Sequence, residues 1–131
     1  MEYESTAHAK FLLLSHLIFV CKYRKRLLLA YGAEVKLIFQ EIAEPSDFSF
    51  EALEVDQDHI HCLVKSKPAL SPVAIVRRLK QESTKRLWDR HEAELSHQYW
   101  KERTFWCDGY FCCTIGNASQ TTIRQSIEQQ G

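Results

Sequence analysis

Apolar and polar residues alternate along this chain with two different periods, and the changes of period mark its elements. Residues 11–23 are dominated by Leu, Ile, Phe and Val, without Gly or Pro, and predict a first strand buried on both faces. Residues 24–29 lead out of it. Over residues 30–43 the apolar positions Val35, Leu37, Ile38 and Ile42 fall on a helical stripe. Glu44-Pro45-Ser46-Asp47 breaks that helix. Phe48, Phe50, Leu53 and Val55 alternate well enough for a strand over residues 48–55. Asp56-Gln57-Asp58 then turns the chain into another strand over residues 59–66, so the pair is a hairpin. Ser71 suits the N-cap, and Pro72 the first position, of a long helix. That helix should turn Val73, Val76, Leu79, Thr84 and Leu87 inward. Residues 100–106 read as irregular, and residues 109–115 as a last strand stopped by Gly116-Asn117. Ser119 or Thr121 can cap a final helix reaching about Gln130.

This order predicts an α+β, ferredoxin-like split βαββαβ fold. It has an antiparallel sheet, helices on one face and an extra C-terminal helix. Right-handed crossovers are expected to put the two hairpin strands next to the first and last strands. The 131 residues make one domain, 1–131, and 45% apolar content allows a real core while excluding a disordered or fibrous chain. The five cysteines are odd in number and form no CxxC pair, which disfavours a zinc site or a disulfide framework. Buried, reduced thiols in a cytoplasmic protein are the expectation. The apolar run at 11–20 is too short to span a bilayer, and a basic cluster follows it instead of a cleavage site, so no membrane partner is expected.

The sharpest chemical feature is Asp58-His59-Ile60-His61. Residues i and i+2 of a strand share a face, so two imidazoles stand side by side. Such a pair suits a divalent metal and leaves coordination positions open for water or a phosphate oxygen, while Asp58 could orient one ring. By itself the motif also fits two polar residues on a solvated strand face. In the tail, Ser126 and Gln130 lie one helical turn apart, with Ile123 and Ile127 on another face. By itself that is an ordinary surface helix. Formal net charge is zero, but basic residues cluster at Lys22, Arg24, Lys25 and Arg26 and again at Arg77, Arg78, Lys80, Lys85, Arg86 and Arg90. Clusters of this kind are either solvated surface or phosphate contacts.

Four blocks occur in order: His16-Leu-Ile-Phe-Val-Cys-Lys-Tyr-Arg-Lys-Arg26, Asp56-Gln-Asp-His-Ile-His-Cys-Leu-Val64, Trp106-Cys-Asp-Gly-Tyr-Phe-Cys-Cys-Thr-Ile-Gly116 and Thr122-Ile-Arg-Gln-Ser-Ile-Glu-Gln-Gln130. Together they resemble the transposases of the insertion-sequence 200/605 group, single-tyrosine members of the HUH endonucleases, and the resemblance covers nearly the whole chain. It implies a divalent ion, Mg²⁺ or Mn²⁺, held by His59, His61 and Gln130, which polarises the scissile phosphate. It implies attack by a tyrosine on the last helix, leaving a 5′-phosphotyrosyl link and a free 3′-hydroxyl. Substrates would be single-stranded DNA hairpins at the ends of a mobile element, and the active sites of a homodimer would be completed in trans. This chain departs from the pattern at one place: Ser126 stands where the tyrosine is expected.

Strand and hairpin recognition combines phosphate neutralisation with base stacking. The residues expected to contact DNA are Lys22, Tyr23, Arg24 and Arg26 after the first strand and Arg77, Arg78, Lys80 and Lys85 on the second helix. Trp100 and Trp106 are possible stacking platforms, with packing as the alternative for each. Three other readings compete with a cleaving transposase. They are a DNA- or RNA-hairpin-binding module without chemistry, a domesticated transposase, and a metal-dependent hydrolase that uses water and forms no protein adduct.

Overall fold

The computed structural model describes residues 12–116. The expected final helix, with Ser126 and Gln130, lies outside the described residues. Within them, Leu13–Val20 forms β1, Leu28–Ala43 α1, Phe48–Val55 β2, His59–Ser66 β3, Pro72–Gln98 α2 and Phe111–Gly116 β4. The sheet order is β2-β3-β1-β4, with every neighbouring pair antiparallel. This is the expected α+β arrangement of a four-stranded antiparallel sheet and two helices. One detail differs. β3 lies beside β1 as expected, but β2 is an edge strand and β4 adds to the far side of β1. Each helix carries the chain over one intervening strand, α1 over β3 and α2 over β1, which leaves the two hairpin strands on the same side of β1.

Strand alternation divides the apolar residues between two faces. Leu17, Phe19, Leu53, Ile60, Cys62 and Val64 are buried in one cluster with Val35, Ile38, Phe39 and Ile42 of α1 and with Ile75, Leu79 and Leu87 of α2. The opposite face is left open by both helices. Among the described residues it carries a small second cluster, Leu14 and Leu63 with Ala52 and Ile115 against them.

The element ends and stripes move for identifiable reasons. β1 stops at Val20 because Lys22–Arg24 form a 3₁₀ turn in which Tyr23 and Arg24 take positive φ, 62° and 55°. α1 begins at Leu28, two residues early, because Leu27 and Leu28 are buried and the Leu28 N–H donates to the Gln57 carbonyl. Leu37 was expected inside but is 65% exposed, since the helical period gives its place to Phe39. Val73, also expected inside, is exposed, and Thr84 is only half-buried beside the buried Ser83. Ser71 does cap α2, accepting the Ala74 N–H at 3.1 Å. β4 begins at Phe111 rather than residue 109 because the Lys80 ammonium gathers the carbonyls of Cys107, Asp108 and Gly109 at 2.6–2.9 Å and holds them as a loop. All five thiols are free, but burial is confined to Cys21 and Cys62; Cys112 and Cys113 are exposed on the edge strand. Among the described residues no helix is long and apolar enough to cross a membrane.

The α1 stripe gives a sharp contrast. Ile38→Ala should cost about 2–5 kcal/mol through lost burial and the cavity it leaves, whereas Leu37→Ala should stay within about 0.5 kcal/mol. Urea denaturation of the two variants checks this, and equal losses would contradict the helix orientation.

Candidate metal and nucleic-acid site

The open face is where the imidazoles stand. Ile60, Cys62 and Val64 point into the helix-facing core, so His59 and His61 point the other way. Val20 lies opposite His59, and Ile18 opposite His61, on β1. The two rings are 4.7 Å apart between centroids and nearly perpendicular.

Each ring is held differently. His59 Nδ1 donates to Asp58 Oδ1 at 2.8 Å, which leaves the His59 Nε2 lone pair available and sets its tautomer. Asp58 in turn accepts from Arg24 Nε at 3.2 Å. The bond from His59, reinforced by Arg24, keeps the Asp58 carboxyl below its ordinary range, so it stays ionised. His61 is only 4% exposed, and its Nε2 is buried without a protein hydrogen-bond partner. A buried polar atom left unpaired costs about 1–3 kcal/mol. Two imidazoles on one face, the His61 Nε2 without a partner and the His59 Nε2 4.0 Å from Asp56 Oδ2, are a donor pair of the kind a divalent cation takes. Burial, and the neighbouring His59 and His16, push the His61 pKa down, keeping the ring in the neutral form that a metal needs.

A third imidazole joins this pair. His16 is 5% exposed on β1. Its Nε2 lies 3.4 Å from His61 Nδ1, its ring stacks on His61 at 5.6 Å, and Phe111 of β4 meets it edge-on at 5.8 Å. Sequence reading missed it. The available signal was a polar residue interrupting an apolar strand at the same parity as Ile18, the residue that faces His61. Among the described residues no group of three His, Cys, Asp or Glu is arranged to hold a metal. The expected third ligand, Gln130, and the expected attacking position, Ser126, lie outside the described residues.

The basic residues divide into two sets. Lys22, Tyr23, Arg24 and Arg26 stand at the sheet end that carries His59, where the Cys21 N–H donates to the Asp58 carbonyl. Lys22 pairs with Glu102 at 2.8 Å, and Arg24 with Asp58. The second cluster rides on α2, behind the sheet relative to the imidazoles, and is largely engaged. Arg78 pairs with Glu82, and Lys85 with Asp89. Arg86 and Arg90 pair with Glu41 and Glu34 of α1. Lys80 is committed to its three carbonyls, and burial pulls its ammonium below the usual value. Arg26 and Arg77 are exposed, and no ion pair among the described residues engages either. Of the two tryptophans considered as stacking platforms, Trp106 is buried and donates to Ser83 Oγ at 2.9 Å, while Trp100 is 76% exposed.

Comparison with known proteins bears on the family and the fold. Residues 9–130 match the family model described as Transposase IS200 like. The chain is 29% identical over 132 residues to the transposase of insertion sequence element IS200 from Salmonella typhimurium, covering 96% of this chain and 84% of that protein. A candidate transposase from Deinococcus radiodurans R1 has a similar structure, with a TM-score of 0.75, 28% identity and 97% of each chain covered. A REP-associated tyrosine transposase bound to a REP hairpin shares the fold at a TM-score of 0.60 and 13% identity, over 98% of this chain and 69% of that one.

The buried imidazoles give stability a pH dependence. Burial lowers the pKa of both His16 and His61 from 6.5. Unfolding therefore takes up protons below about pH 6.5, so the stability carried by the neutral rings is present above that value and is lost as pH falls through it. In metal-free buffer Tm should drop between about pH 7.5 and 5.5, and His16→Phe should flatten part of the drop. A constant Tm across that window would contradict the burial of these rings.

Proposed function

The chain belongs to the IS200-like transposase family, and on that premise we propose that it grips hairpin ends of single-stranded DNA and holds a divalent ion between His59, His61 and Gln130. The observation that carries the proposal is the imidazole pair on the open face, one ring with a buried, unpartnered Nε2 and the other oriented through its Nδ1 by Asp58. The hairpin seen on the REP-associated tyrosine transposase, a protein of the same fold, supports the substrate class. Mg²⁺ or Mn²⁺ suits the mixed nitrogen and oxygen donors and would supply Lewis-acid polarisation of the scissile phosphate.

The residues of this chain have separable roles in that scheme. His59 and His61 would supply the nitrogen donors, and burial favours the neutral ring of His61. Asp58 fixes the His59 ring, and His16 braces the His61 ring. Arg24 and the exposed Arg26 provide cationic contacts at the same end of the sheet. In the cleavage step a hydroxyl oxygen on the last helix forms a bond to phosphorus while the bond to the 3′-oxygen breaks, leaving a 5′-phosphoryl–protein link and a free 3′-hydroxyl. The link conserves the ester bond for rejoining. With Ser126 in this position the attacking oxygen falls several ångströms short of where a phenol oxygen would reach. Its pKa also lies far above the ~10 of tyrosine, which makes it a poorer nucleophile and a poorer leaving group. The chain therefore binds metal and hairpin DNA but cleaves little or not at all. It acts as a cytoplasmic homodimer in which the last helix of one subunit completes the site of the other.

Incubation with a labelled single-stranded hairpin end and Mn²⁺, followed by denaturing electrophoresis, tests the scheme. The native chain should bind the DNA and leave almost no covalent adduct, and Ser126→Tyr should produce one. His61→Ala in that background should abolish it, and Asp58→Asn should weaken Mn²⁺ binding about 10- to 100-fold. Abundant adduct from the native chain would overturn the assignment of Ser126. Mn²⁺ binding unaffected by His61→Ala would overturn the metal site.

A further inference from the structure

One cavity of about 250 Å³ opens between the 22–24 turn and the segment that follows α2, lined by Tyr23, Gln98, Tyr99, Trp100, Lys101 and Thr104 among others. It is smaller than the roughly 300–1,000 Å³ of a site for a whole drug-sized ligand, and its scale suits one planar ring system. Two of its aromatic walls are unusual for a folded chain. Tyr23 is 72% exposed and Trp100 76% exposed. Tyr23 is held out by consecutive residues at positive φ, a conformation that non-glycine residues rarely adopt and that tends to mark functional segments.

The walls are preformed. The floor residue Tyr99 is buried, its hydroxyl donates to the Lys22 carbonyl at 2.9 Å, and its ring lies 6.2 Å from that of Tyr23. The Lys22 N–H donates to the Phe105 carbonyl at 2.9 Å, which stitches the two sides together. The charge at the rim is positive. Glu102 also lines the cavity, but Lys22 neutralises it at 2.8 Å. Lys25, over the Tyr99 ring, and Lys101, over the Trp100 ring, have no ion pair among the described residues. Exposed aromatic faces beside uncompensated lysines are the surface on which unpaired bases stack while phosphates meet cations. Arg24, next to Tyr23 in the chain, is bound to Asp58, which holds His59. The cavity is thus one short chain of contacts from the imidazole pair.

We infer that this cavity is a subsite for one unpaired nucleobase of the DNA strand, stacked on Trp100 or Tyr23 and edged by Gln98 and Thr104. The inference rests on the DNA-binding reading above and names a base-reading element that the metal site does not supply. Hairpin oligonucleotides with a single-stranded flank, carrying 2-aminopurine at one position at a time, test it by fluorescence quenching and affinity. One position should be quenched when the native chain binds. Trp100→Ala should remove that quench and weaken binding about 10-fold, and Trp100→Phe should retain most of both. Tyr23→Asn, which keeps a residue tolerant of positive φ, should also weaken binding. All three variants should keep the native Tm, since the rings they alter are exposed. Unchanged quench and affinity in Trp100→Ala and Tyr23→Asn, with the native chain binding normally, would overturn the subsite and leave the proposed function standing. Failure of the native chain to bind any hairpin would overturn both. Variants that alter only self-association in the absence of DNA would make the surface a protein contact and overturn the subsite.

Discussion

The chemistry on the open face depends on the antiparallel register of β1 against β3. Val20 meets His59, Ile18 meets His61, and His16 meets Leu63. The side-chain period of a strand is two, so a slip of one residue would send both imidazoles into the helix-facing core and bring Ile60 and Cys62 out. That slip is prevented by burial. Leu17 and Phe19 on one strand and Ile60, Cys62 and Val64 on the other are all fully covered by α1 and α2. The apolar face that makes the fold thus fixes which face carries the polar chemistry, and the same register brings His16 and His61 together.

Charge is distributed along the same division. Behind the sheet, α1 and α2 tie their basic and acidic residues to each other, through Arg86 to Glu41 and Arg90 to Glu34. Exposed pairs of this sort contribute little stability each, about 0–1 kcal/mol. Their clearer effect is to mask charge on the helical side. At the sheet end beside His59, Arg24 and Asp58 form a pair that also touches a candidate metal ligand, and Arg26 is exposed. At that end Arg26 is left without an ion pair among the described residues, beside the candidate metal site.

Much of this was legible in the sequence, and the limits are physical. β2 and β3 have the expected bounds because a polar turn separates two alternating runs. The ends of β1 and β4 were not legible. One depends on a left-handed pair at Tyr23 and Arg24, the other on a lysine that reaches 27–29 residues along the chain to three carbonyls. Leu37 entered the expected stripe because four apolar residues crowd two turns of α1, and packing against β2 selects among them. The imidazole pair was visible from its i, i+2 spacing, and Asp58 from its adjacency. His16 was not, because its role exists only through a partner 45 residues away on the neighbouring strand. The assignment of Gln130 and Ser126 came from family resemblance, not from spacing.

The central claim is that His59 and His61 act together as nitrogen donors to one divalent ion, and the direct measurement is pulsed electron paramagnetic resonance of the protein loaded with a single equivalent of Mn²⁺. Two imidazole-type ¹⁴N couplings should appear in the native chain, falling to one in His59→Ala and in His61→Ala. A spectrum without nitrogen coupling, or one that neither substitution changes, would place the ion elsewhere and leave the open face without its proposed chemistry.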